Sequence, residues 1–121
     1  MAKTYAVVIG AILLIVGLLG FAKNNQDLFG LHFNTIHNTV HVVSGLIGLW
    51  AGFGKSASAP RLFAQVFGVI YTLVAIMGFA HMPASIDTML DLNPLYNVIH
   101  LVVGLLGIAA GFMGPKEPAT A

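Results

Sequence analysis

His41 and His100 carry the most chemical promise in this sequence, and they stand in matching surroundings. Each follows two asparagines and precedes a glycine at the same spacing: Asn34, Asn38, His41 and Gly45 in one stretch, Asn93, Asn97, His100 and Gly104 in the other. A neutral imidazole ligates transition metals and haem iron, and it also donates and accepts hydrogen bonds. Two of them facing each other at one depth would fill both axial positions of a b-type haem, with Asn38 and Asn97 beside them as further cofactor-binding candidates. A chlorin or quinone is a weaker form of the same idea. The competing expectation is a polar clamp, in which Asn38 and His41 bond to Asn97 and His100 for about 0.6 to 2 kcal/mol per contact.

A metal ion is a separate question. His37 and His41 are four residues apart, a spacing that lets two imidazoles on one helix share an ion. Met82 and Met89 would add soft donors for copper. Against this, Tyr96 stands where the second stretch would repeat His37, and no thiolate or carboxylate cluster supports a site. The sequence assigns no metal, and it leaves the cofactor unknown, with haem b as the candidate.

The elements that must position these residues are helices. Asn34, Asn38, His41, Gly45, Gly48 and Gly52 are spaced by 4, 3, 4, 3 and 4 residues, so all six share one helical face. Asn93, Asn97, His100, Gly104, Gly107 and Gly111 repeat that spacing in full. Asn34 and Asn93 read as N-caps, the latter followed by Pro94 at the first helical position. Gly48-x-x-x-Gly52 and Gly107-x-x-x-Gly111 would let helix backbones approach closely in lipid.

Four apolar stretches, 5–22, 35–53, 62–80 and 95–113, each come close to the roughly 20 residues that cross a bilayer core. The 121-residue chain is 58% hydrophobic and 7% charged, with a mean hydropathy of +0.92. Soluble domains carry about 25% charged residues, so too little polar surface exists here for solvation by water. The lipid bilayer is the expected partner.

The chain also repeats itself. Gly10, Gly20, Phe21 and Ala22 recur 58 positions later as Gly68, Gly78, Phe79 and Ala80, and residues 34–53 match 93–112 at ten of twenty positions. A cleaved leader has no reason to share its pattern with a later helix, so the first stretch is read as a span. Two parallel tandem hairpin repeats result, 5–53 and 62–113, within a single transmembrane domain 1–121 and followed by a disordered tail, 114–121. Lys3, Lys55, Arg61 and Lys116 flank one side, and Lys23 with Asp27, Asp87 and Asp91 the other. The positive-inside rule then places both termini in the cytoplasm.

Several functions are excluded or left without a motif. A net charge of +1 without a basic cluster gives no field for nucleic acid. Cys is absent, which removes thiolate chemistry. No nucleophile elbow, phosphate-binding loop or zinc-protease motif occurs, and no carboxylate lies inside an apolar stretch, as a proton-coupled carrier would show.

The paired Asn-x-x-x-Asn-x-x-His-x-x-x-Gly helices, with Gly20-Phe21 and Gly78-Phe79 closing the helices before them, resemble a family of small bacterial membrane proteins classed as a domain of unknown function. The resemblance covers about residues 5–113. It implies four transmembrane helices in the bacterial cytoplasmic membrane and no assigned activity. The expectation is therefore an all-α, four-helix bundle in which the second and fourth helices meet across a central axis. Its role would be that of a non-catalytic structural or accessory subunit of a homo-oligomer or larger membrane complex. A cofactor-binding electron-transfer protein using His41 and His100, and a small-solute carrier, are the alternatives.

Overall fold

A computed structural model describes residues 1–23, 27–28 and 31–114. Lys116, most of the tail and part of the first loop lie outside the described residues. Five α-helices run in the order α1 (Ala2–Lys23), α2 (Thr35–Phe53), α3 (Ala59–Ala80), α4 (Ala84–Met89) and α5 (Pro94–Ile108), and α5 continues into a π-helical turn, Ala109–Met113. Between α1 and α2 a minimal antiparallel ladder pairs Asp27 with His32 and Leu28 with Leu31. Neither that ladder nor the short α4 is foreshadowed by periodicity, because both are too short to show one.

The helix starts follow from local chemistry. The Asn34 side-chain oxygen accepts from the His37 amide at 2.7 Å, and Asn93 does the same for Tyr96 at 2.9 Å. Each cap satisfies one of the amides that a helix N-terminus leaves without an intrahelical partner. At the far end of α5, Gln65 Nε2 and Arg61 Nη1 donate to the carbonyls of Gly111 and Gly114, at 3.0 and 3.1 Å. Carbonyls released by the widened last turn thereby find donors on α3.

Two hairpins form, α1 with α2 and α3 with α5, and glycines set their closeness. A Cβ added at Gly48 would stand 2.9 Å from the Gly10 Cα, and one at Gly107 would stand 2.7 Å from the Gly68 Cα. Only backbone without side chain fits there. The glycine faces of α2 and α5 thus turn toward α1 and α3 inside their own hairpins. This corrects the expectation that the two faces meet each other, since a spacing identifies a face but not what lies opposite it.

Between the hairpins, α3 packs against both α1 and α2, and α5 reaches α1. Tyr5 on α1 donates its hydroxyl to the Val103 carbonyl of α5 at 2.9 Å, and its ring lies 6.2 Å from that of Phe63 on α3. Ile9, Leu13 and Tyr71 join them in the core, with the small residues Ala2, Ala6, Ala51, Ala64 and Ala110 between.

Polarity is inverted relative to a protein built for water. The buried polar residues are His37, Asn38, His41, Ser44, Asn97 and His100, while large apolar side chains such as Ile15, Val43, Leu73 and Leu105 are half exposed or more. Among the described residues, three helices are long and apolar enough to cross a membrane, Ala2–Lys23, Ala59–Ala80 and Pro94–Met113. The count is three where the sequence predicts four. α2 has the length, 19 residues, but His37, Asn38, His41 and Ser44 lower the hydropathy of its first half.

Candidate functional site

At the capped end of α2, three imidazoles come together. His37 lies in the first turn of α2, His41 one turn further on, and His100 reaches across from α5. One ligating atom from each lies within 4.8 Å of the others. All three residues are buried, at 3%, 5% and 3% exposure, so water does not saturate their nitrogens. The Nδ1 atoms of all three lack a hydrogen-bond partner.

Aromatic rings hold the cluster in place. His37 packs on His41 with ring centroids 4.3 Å apart and on Tyr96 at 4.6 Å. Tyr96 stacks on His100 at 5.7 Å with an 18° tilt, and Tyr71 of α3 lies 5.4 Å from His100. The Leu90 backbone carbonyl lies beside the His37 ring.

The rim of the site stitches the two hairpins together. Asn34 Nδ2 donates to the Met89 carbonyl and to Asp91 Oδ2, each at 3.1 Å. Tyr96 donates its hydroxyl to the His32 carbonyl at 2.8 Å. His32 Nε2 lies 3.6 Å from Asp91 Oδ2, and His81 Nδ1 lies 3.2 Å from Asp87 Oδ2. His32 and His81 therefore belong to the partly exposed rim.

Of the candidate residues, His41 and His100 are brought together, while Asn38 and Asn97 are turned away. The amide of Asn38 rests on Gly20, and that of Asn97 rests on Gly78. The expected four-residue clamp across a central axis is thus divided into two Asn–Gly contacts, one in each hairpin. His37 joins the site although Tyr96 takes its place in the other half, and Tyr71 joins without any motif. The signal for His37 was its four-residue distance from His41.

A flat macrocycle finds no slot here. The cavities beside the histidines measure about 100 Å³, bordered by His41, Tyr71, Tyr96 and His100, and about 60 Å³, bordered by His37, His41, Tyr71 and Leu90. Pockets that bury organic ligands run to roughly 300 Å³ or more. The larger hollows, about 350 and 420 Å³, lie near Trp50 and Met1 and contain no histidine. In addition, His37 occupies the neighbourhood that a plane between His41 and His100 would need. The described cavities beside the histidines are thus too small for the macrocycle of a bis-histidine haem.

The family profile described as a domain of unknown function (DUF4383) matches residues 3–113. No curated protein and no solved structure matches the chain.

Proposed function

Because the chain belongs to the DUF4383 family, a domain of unknown function, we propose its role from its own geometry. It is a non-catalytic protein of the bacterial cytoplasmic membrane with four spans and both termini inside, serving as a structural or accessory subunit of a membrane assembly. The observation that carries this reading is the inverted polarity, with polar residues buried and a girdle of half-exposed aliphatic side chains on every long helix. Lipid solvates such a surface and water does not.

α2 is the fourth span in this reading. Its polar side chains face inward, and Ile36, Val40, Val43 and Ile47 on the opposite face are 42% to 51% exposed. In a bundle, a span needs an apolar outer face only where it meets lipid. Support for two parallel repeats comes from paired contacts: Asn38 on Gly20 and Asn97 on Gly78, Gly48 on Gly10 and Gly107 on Gly68. A solute carrier is less well supported, because the cavities that reach the polar centre are about 100 Å³ or smaller.

Native mass spectrometry of protein released from its own membranes in mild detergent tests the proposal. A defined assembly, of several copies of this chain or of this chain with other subunits, is expected. A bare monomer under every mild condition would refute the subunit role.

A further inference from the structure

We propose that His37, His41 and His100 form a binding site for one late first-row transition-metal ion, zinc or copper. Three imidazoles supplied by two helices, with ligating atoms within 4.8 Å of one another, give the donor type that these ions prefer. Nitrogens around tetrahedral zinc stand roughly 3.3 Å apart, given Zn–N bonds of about 2.0–2.1 Å. Closing the cluster shortens its separations, at most 4.8 Å, by about 1.5 Å or less.

Burial turns proximity into an argument. A buried nitrogen without a partner is costly, and here all three Nδ1 atoms lack one. Each neutral imidazole has one donor and one acceptor, yet the rings do not pair these with one another at Nδ1. An ion that accepts three lone pairs at once removes the deficit. The Leu90 carbonyl beside the His37 ring is the kind of outer partner that metal-ligating histidines require.

Charge and access fit a small ion. Three neutral ligands leave the ion its full charge, and Asp91 acts on His37 electrostatically from the rim, which offsets part of the desolvation cost. The cluster begins in the first turn after the Asn34 cap, so an ion reaches it without crossing the apolar length of the bundle. The cavity of about 100 Å³ bordered by His41, Tyr71 and His100 has room for a fourth, exchangeable ligand such as water, which takes about 30 Å³.

Full-length protein in lipid nanodiscs, stripped with chelator, is titrated with Zn²⁺ and, under anaerobic reducing conditions, with Cu⁺. Elemental analysis and calorimetry should give one ion per chain for at least one of the two metals, and Mg²⁺ should not compete. X-ray absorption on the loaded wild type should give a first shell containing three imidazole nitrogens, a readout that does not depend on any variant folding. His41→Gln and His100→Gln should each weaken binding by more than the roughly 100-fold that loss of an outer partner causes. His37→Tyr, which installs the residue type found at position 96, should do the same, while His81→Gln at the exposed rim should leave affinity unchanged. Folded wild type that takes up neither ion, a first shell without three imidazoles, or undiminished affinity in His37→Tyr would each overturn the site.

Discussion

The side-chain oxygen of Asn38 occupies the place where a Cβ of residue 20 would stand. The Gly20 Cα is therefore a close neighbour of that oxygen, which no N–H or O–H donor among the described residues reaches. Asn97 and Gly78 repeat the relationship in the second hairpin. A Cα–H···O contact of this kind gives the buried carbonyl a weak donor, and only glycine can offer it without a clash.

Gly20→Ala and Gly78→Ala should accordingly destabilise the protein by about 1–3 kcal/mol, the usual cost of overpacking a filled site. The added methyl group displaces an amide that is only 2% exposed in both Asn38 and Asn97. Combining Gly20→Ala with Asn38→Ala should cost less than the two changes separately. Additive losses in a detergent unfolding series would show that the two residues do not share this contact.

Gly48→Leu and Gly107→Leu should separate α1 from α2 and α3 from α5. Their added atoms would meet backbone at Gly10 and Gly68, which cannot yield as a side chain does. Replacing Leu46 or Leu105, 53% and 51% exposed, with another aliphatic residue should leave the midpoint within about 0.5 kcal/mol of wild type. Equal sensitivity at both sets would remove the glycine faces from the tight interfaces.

Tyr5→Phe should cost about 1 kcal/mol. The change deletes the 2.9 Å hydrogen bond from α1 to the Val103 carbonyl and keeps the ring against Phe63. Hydrogen exchange should quicken first where the hairpins meet, around Val103. Unchanged stability and unchanged exchange would mean that the hydroxyl does not tie them together.

Reporter fusions address orientation. With Lys3, Lys55 and Arg61 on one set of flanks and Lys116 expected to join them, tags at Ser56 and after Ala121 should both report cytoplasm, and a tag at Asn25 should report the exterior. Opposite signals at Ser56 and Ala121 would rule out an even number of spans between those two positions.

Much of this molecule was legible in its sequence because lipid-facing helices leave strong patterns. The caps Asn34 and Asn93, the family and the burial of His41 and His100 all follow from residue types at helical spacing. What faces the glycine stripe was not legible: periodicity fixes a direction around a helix axis, and the partner in that direction depends on how whole hairpins dock. The same gap hid the destinations of Asn38 and Asn97. His37 was discounted because Tyr96 holds the corresponding place, and yet the two rings pack against each other. The wide final turn of α5 leaves no pattern in its own residues, because the donors to its carbonyls, Gln65 and Arg61, lie on another helix.

That pairing of His37 with Tyr96 has an arithmetic consequence. Two identical hairpins facing each other would present an even number of imidazoles at this level, four if both resembled α2 and two if both resembled α5. An odd number arises only when the two halves differ, as they do at residues 37 and 96. Three ligands around an ion that prefers four leave one coordination position open, so the difference at residues 37 and 96 leaves room for exchange where four matched imidazoles would close the site.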